Sequence, residues 1–181
     1  MAKTRKPNHE RTAMREQRDI VNAVEQHADT VMRVCSLYLK GTNRDDAFQD
    51  TFLKYALFDG TFENEEHRKA WLIRVTANVC KDHLRKASAN DYPLEEAAES
   101  DPDRFVGEDG NQGLRNVQSA QLLEALMKLD ENYRMALYLK YYEGYTATQI
   151  AQLRGLTENT VYTHLARGRS MLKEVLTDDE R

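Results

Sequence analysis

Apolar residues recur three and four positions apart along two separate stretches of the chain, and few fall between them. In the first stretch Ile20, Val24, Ala28, Val31, Cys35 and Tyr38 keep a helical period that stops at Gly41, which predicts a long amphipathic helix. Asn43 is placed to cap a second helix, with Ala47, Phe48, Thr51, Phe52, Tyr55 and Ala56 inward and Asp46, Gln49, Asp50 and Lys54 outward. Beyond a loop with Gly60, a third helix runs from Glu65 to Ala87 on a stripe of Leu72, Ile73, Val75, Ala77, Val79 and Leu84. The second stretch opens with Leu122, Leu123, Leu126 and Leu129, followed by Tyr133, Ala136, Leu137 and Tyr141 on a helix that Asp130 is placed to cap.

The three prolines, Pro7, Pro93 and Pro102, all lie outside these periodic segments, and no alternating run of β-branched and aromatic residues reads as a strand. The pattern predicts an all-α protein of two small helical bundles, over residues 18–87 and 118–177. Residues 1–17 are basic and almost devoid of apolar side chains, so they read as a mobile tail, as do 178–181 at the other end. Residues 88–117 hold both later prolines and Gly107, Gly110 and Gly113, and read as a flexible linker.

The end of the second bundle carries a more specific pattern. Thr146 and Gln149 have capping-box spacing ahead of Ile150, Ala151 and Leu153, a short helix that breaks at Gly155. Thr157 is placed to cap the next helix, on which Val161, Leu165, Gly168, Leu172 and Val175 form an apolar row. A helix-turn-helix needs a small residue at the helix crossing, a residue tolerant of left-handed φ in the turn and a branched apolar lock on the second helix. Ala151, Gly155 and Val161 meet those needs in order. With that row buried, Glu158, Asn159, Tyr162, Thr163 and Arg167 face outward at the start of the second helix, where base edges are met in a major groove, and Arg167, Arg169 and Lys173 lie along phosphates.

Charge sharpens the picture. The net charge of −4 argues against indiscriminate coating of nucleic acid, but the charges are segregated. Arg68, Lys69, Arg74, Lys81, Arg85 and Lys86 stand against Asp82 alone, whereas the linker region to Gln118 carries eight acids (Asp91, Glu95, Glu96, Glu99, Asp101, Asp103, Glu108 and Asp109) against Arg104 and Arg115. On the third helix Trp71, Arg74, Asn78, Lys81 and Arg85 are spaced to form one line of an aromatic, an amide and three cations. Such a line is either a solvated face or a nucleic-acid contact.

Other chemistries are excluded. Cys35 and Cys80 have no zinc-ligand spacing, and Cys80 with His83 supplies only two ligands, so no metal or other cofactor is expected. No Gly-rich phosphate loop or nucleophile–base spacing appears, which argues against an enzyme and against a small-molecule substrate. No apolar run approaches the length of a membrane span, and the polar start lacks a signal-peptide core, so a soluble cytoplasmic protein without membrane insertion is expected.

Two motifs together resemble a known family. The stretch Asp45-Asp46-Ala-Phe-Gln49-Asp50-Thr-Phe52-Leu-Lys-Tyr, followed by Ala70-Trp71-Leu-Ile-Arg74-Val-Thr-Ala-Asn78-Val-Cys-Lys81-Asp82-His-Leu-Arg85, resembles region 2 of the bacterial sigma-70 factors in their extracytoplasmic-function (ECF) branch. The stretch from Leu129-Asp-Glu-Asn-Tyr133-Arg134, through Gly144-Tyr-Thr-Ala-Thr-Gln-Ile150-Ala151, to Thr160-Val161-Tyr-Thr-His164-Leu165-Ala-Arg167-Gly-Arg169 resembles region 4. The resemblance implies a transcription initiation factor whose partners are core RNA polymerase, promoter DNA and an anti-sigma factor. It implies docking on polymerase through Asp45, Asp46, Gln49, Asp50 and Phe52. The line Trp71, Arg74, Asn78, Lys81 and Arg85 then meets the unwinding −10 element, with Trp71 either stacking near the melted strand or bracing its helix, and the loop Phe58 to Glu66 holds a flipped base. Glu158, Asn159, Tyr162, Thr163, His164, Arg167 and Arg169 read the −35 element. This chain departs from the family pattern with His164 at a common Arg, Gly168 at a common Ala, Asp130 at a usual proline, and Glu63, Glu65 and Glu66 around the base-holding loop.

Two rival readings stand beside this one. A stand-alone helix-turn-helix regulator leaves the first bundle without a task, and an adaptor that sequesters a protein leaves both DNA-like faces unexplained.

Overall fold

The structure, a computed structural model, describes residues 14–89 and 121–178, and every regular element among them is helical. Of the expected linker, Ser88 and Ala89 instead end a helix, and residues 90–117 lie outside the described residues.

The first bundle is α1 (Gln17–Ser36), α2 (Thr42–Leu57) and α3 (Glu65–Ala89). α1 buries Ala23, His27, Thr30, Val31, Val34 and Cys35. On α3, Leu72, Ile73, Thr76, Ala77, Val79 and Cys80 are buried, while Leu84, expected on the same stripe, is 39 % exposed. Thr76 fits an apolar face because its hydroxyl donates back to the Leu72 carbonyl at 2.7 Å. Asn43 does not cap α2: the turn is made by Gly41 at φ 58°, the helix begins at Thr42, and Asn43 lies exposed inside the first turn.

The start of the chain also differs from expectation. Residues 1–13 lie outside the described residues, but residues 14–17 are not a free tail: the Arg15 amide donates to the Ala56 carbonyl at 3.0 Å, and α1 already begins at Gln17.

The second bundle is α4 (121–127), α5 (Glu131–Leu137), α6 (Ala147–Arg154) and α7 (Glu158–Asp178). Asp130 caps α5 as its position suggested, accepting from the Asn132 amide at 3.0 Å. α5 then widens into a π-helical turn, Tyr138–Tyr142, closed by the Glu143 amide on the Tyr138 carbonyl at 3.2 Å. The extra residue per turn rotates all that follows. Tyr138 and Leu139 therefore face the core, and Tyr141, expected inward from its spacing, is 60 % exposed.

The two bundles lie against each other, with α3 facing α6, and their buried residues form one continuous apolar cluster. Polar contacts cross the seam. Lys69 meets Glu143 at 2.6 Å, Lys81 meets Glu131 at 3.0 Å, and the Tyr38 hydroxyl donates to Glu131 at 2.9 Å. Arg33 lies over the Tyr142 ring at 4.9 Å and Arg134 over the Tyr38 ring at 5.8 Å.

Candidate nucleic-acid interface

The helix-turn-helix forms by local chemistry. Thr146 Oγ1 accepts from the Gln149 amide at 3.2 Å while Gln149 Oε1 accepts from the Thr146 amide at 2.8 Å, a complete capping box. α6 ends at Gly155, whose φ of 65° lets the Leu156 amide turn back to the Ala151 carbonyl at 2.9 Å. Thr157 Oγ1 accepts from the Thr160 amide at 3.2 Å and starts α7. Ile150, Ala151, Val161 and Leu165 are buried between the two helices. Gly168 lets α7 approach α5 closely, since a Cβ there would stand 3.2 Å from Leu137 and Tyr133 side-chain atoms. That crossing accounts for the glycine.

Glu158, Asn159, Tyr162, Thr163, Arg167 and Arg169 are all exposed along one end of α7. Two of them have partners: the Thr163 hydroxyl donates to the Asn159 carbonyl at 2.9 Å, and Arg169 donates to the Tyr141 hydroxyl at 3.2 Å. His164 does not join this face. It is half-buried, with its ring edge-on to Tyr133 at 5.5 Å, because its position on α7 turns it toward α5.

On α3, Arg74, Asn78 and Lys81 line one wall of a cleft of about 490 Å³, and Asn132, Gln152, Arg154 and Leu156 are on the other. Lys81 is engaged by Glu131, and Arg85, 78 % exposed, pairs with Asp82 at 2.8 Å. Burial alone would raise the Glu131 carboxyl, but the Lys81 and Tyr38 hydrogen bonds and the charge of Arg154 hold it below the ordinary carboxylate value. Trp71 leaves the line and braces its helix: its ring packs 4.7 Å from Phe58, 5.7 Å from Phe62 and 5.9 Å from Tyr55.

That aromatic cluster forms the underside of the loop between α2 and α3. Arg15 closes it, lying over the rings of Tyr55 at 4.7 Å and Phe62 at 4.8 Å while donating to Asp19 at 2.9 Å and to the Gly60 carbonyl. Asp19 also accepts from the Tyr55 hydroxyl at 2.9 Å and pairs with Arg68 at 3.3 Å. Burial would raise the Asp19 carboxyl; the hydrogen bonds from Tyr55 and Arg15 and the charge of Arg68 outweigh it and hold it low. Tyr55, buried against that carboxylate, is pushed up to about 12. Sequence reading missed Arg15, because its partners are brought to it from α1, α2 and the loop only by folding.

The outward side of α2 is a mixed acidic and apolar surface. Asp46 and Gln49 are exposed, and Asp50 reaches His83 on α3 at 2.9 Å. Asp45 stands 3.6 Å from Arg44. Phe52 is absent from this surface: it is 8 % exposed and packs edge-on against Phe48 at 5.1 Å. Leu53, 56 % exposed, and Leu57, 45 % exposed, share the face of Asp46, Gln49 and Asp50 instead. Leu53 stands three, four and seven residues after Asp50, Gln49 and Asp46, and Leu57 four after Leu53, a spacing that could have revealed them.

Cys35 and Cys80 are both fully buried, and contact with Cys80 together with burial pushes the Cys35 thiol up, which leaves it a poor nucleophile. Among the described residues no cluster of three potential ligands could hold a metal, and no helix is long and apolar enough to cross a membrane.

Residues 23–90 match the family model described as sigma-70 region 2, and residues 119–172 match that described as sigma-70, region 4. The ECF RNA polymerase sigma factor SigM of Mycobacterium tuberculosis is 32 % identical over 133 residues, covering 73 % of this chain and 63 % of that protein's length. The ECF RNA polymerase sigma factor SigW of Bacillus subtilis is 24 % identical over 165 residues, covering 86 % of this chain and 87 % of that protein. Among solved structures, the sigma factor RpoE in complex with the anti-sigma factor NepR, from Bartonella quintana, superposes with a TM-score of 0.65 at 21 % identity, over 88 % of this chain and 98 % of that one. The structural match is a likeness of fold.

Proposed function

The chain belongs to the ECF branch of the sigma-70 family, and on that premise we propose that it gives core RNA polymerase its promoter specificity, reading the −35 and −10 elements and promoting strand opening. The observation that carries this reading is the pairing, in one chain, of a capped helix-turn-helix with an exposed polar readout face and a separate helix presenting Arg74, Asn78 and Lys81. In this reading Asp46, Gln49, Asp50 and the neighbouring Leu53 dock on the polymerase clamp, with Asp45 at the edge and Phe52 supporting the face from below. Glu158, Asn159, Tyr162 and Thr163 meet −35 base edges, and Arg167 and Arg169 the adjoining phosphates.

Each DNA surface is small, and the net charge of −4 opposes binding to a polyanion. Affinity then comes from linkage: once polymerase holds one module, contact of the other with DNA becomes intramolecular and proceeds at a high effective concentration. The closed seam adds a condition. Arg74 and Asn78 are exposed beside α6, whereas Lys81 is paired with Glu131 of the second bundle, so in this reading Lys81 leaves Glu131 when it meets DNA.

Run-off transcription from a promoter library with core polymerase, with and without the full chain, tests the proposal. The chain should confer promoter-dependent initiation. Asp50→Arg should abolish it on every promoter, whereas Asn159→Ala or Tyr162→Ala should change the preferred −35 sequence. Tight, sequence-specific binding to a promoter fragment in the absence of polymerase would favour a stand-alone regulator instead.

A further inference from the structure

We propose that Arg15, just ahead of α1, is a positioning residue for the loop between α2 and α3, fixing the shape in which that loop takes up an unstacked base and so setting discrimination at the −10 element. The inference rests on the reading of α3 and this loop as the −10 module.

Arg15 is the place where three parts of the bundle converge. Its backbone amide is tied to the end of α2 through the Ala56 carbonyl at 3.0 Å. One guanidinium nitrogen donates to Asp19 on α1 at 2.9 Å and another to the Gly60 carbonyl within the loop. Its flat face lies over Tyr55, Phe62 and Phe58 at 4.7, 4.8 and 5.4 Å. Only 14 % of the side chain is exposed. A planar fork can make two hydrogen bonds in different directions while its face rests on aromatic rings, which an ammonium cannot do.

The loop needs such a tie. It is bounded by the Phe58 amide on the Tyr55 carbonyl at 3.2 Å and by Asn64, which accepts from the His67 amide at 2.8 Å. Between those points the rings of Phe58 and Phe62 rest on Trp71, Phe62 also meets Tyr55, His67 and Arg68, the Glu63 amide donates to His67 Nδ1 at 3.4 Å, and Arg15 alone holds the Gly60 carbonyl through a side chain. Gly60 itself is closely confined, since any Cβ there would collide with the ring of Phe58 folded over it. The loop's backbone is thus held between a ring on one side and the Arg15 guanidinium on the other. Discrimination among bases depends on a pocket whose walls do not yield, because a loose loop accommodates right and wrong bases alike.

The experiment compares the full-length wild type with R15A, R15K and G60A. Trp71 is the only tryptophan in the chain, so its emission reports the loop directly, independent of transcription. With core polymerase, strand opening is measured on promoters carrying each single-base change at −10 and, separately, at −35. R15A should shift Trp71 emission to the red and compress the spread among −10 variants by about tenfold, the worth of one charge-assisted hydrogen bond. The spread among −35 variants should stay as in wild type. R15K should fall between, and G60A, with Arg15 intact, should reproduce R15A. If far-UV circular dichroism shows R15A unfolded, R15K and G60A decide. Unchanged Trp71 emission and unchanged −10 discrimination would overturn the proposal, and so would an equal loss across −10 and −35 variants, which marks a merely structural tie. Failure of the wild type to direct any promoter-dependent initiation is visible before a variant is made, and it removes the underlying reading and the proposal together.

Discussion

Replacing Glu131 with alanine should let the two helical bundles separate more readily and raise the affinity of the free chain for promoter DNA. Glu131 accepts from Lys81 at 3.0 Å, from the Tyr38 hydroxyl at 2.9 Å and from Arg154 at 2.9 Å. Lys81 and Tyr38 belong to the first bundle, so two of these contacts cross the seam. The Lys81 side chain is 45 % exposed, and solvent screening limits that pair to about 0.5–1 kcal/mol. Tyr38 is 5 % exposed, and a buried hydroxyl on a carboxylate contributes about 1.5–2 kcal/mol. Together the loss is about 2–3 kcal/mol, which changes the ratio of closed to open forms by about 30- to 150-fold. Lys69–Glu143 and Arg33–Tyr142 remain, so the seam should weaken without vanishing. Small-angle scattering should report a larger radius of gyration for E131A than for wild type, and fluorescence anisotropy on a promoter fragment should report tighter binding because Lys81 is released. K81A should bind more weakly than wild type, and E131Q, which keeps an acceptor for Tyr38, should lie between E131A and wild type. Equal scattering for E131A and wild type, or a fall in DNA affinity like that of K81A, would refute the reasoning.

Phe52→Ala should destabilise the chain by about 3–5 kcal/mol in urea unfolding, as removal of a core ring does, while Leu53→Asp should leave stability nearly unchanged and abolish initiation on every promoter. Thr146→Ala removes half of the capping box and should cost about 1 kcal/mol in the same assay. Asp19 and Glu131 both have carboxyls held low in the fold, from ordinary values of 3.8 and 4.5, so their contributions are complete above those values and are lost as pH falls through the depressed ones. Stability measured by thermal melting should therefore drop as the solution is acidified below about pH 4.5, and the drop should shrink in the variants D19N and E131Q.

The helical class, the Asp130 cap, the Thr146–Gln149 capping box, the Gly155 break and the outward face of α7 were all legible along the chain. Each depends on residues within four or five positions of one another, where backbone geometry converts spacing directly into contact. The errors have other origins. The spacing along α2 had already put Phe52 inward, where the structure has it, and only the family resemblance had placed it among the docking residues in place of the exposed Leu53. His164 was placed on the DNA face by the resemblance alone, although it stands three residues after Val161 and four before Gly168, on the row that turns toward Tyr133. Tyr141 was turned outward by a π-helical turn that leaves no periodic trace.

By itself the sequence determined where helices start and stop and which residues cap them, because those properties are set by local hydrogen bonding and by the period of apolar side chains, while its two motifs carried the resemblance to the family. Tertiary structure alone decided that Arg15 clamps a loop 45 residues away, that Trp71 braces its helix instead of facing the cleft, and that Glu131 holds the two bundles closed over Lys81. Those contacts join residues distant in the chain, and their geometry exists only after the apolar surfaces have chosen how to pack.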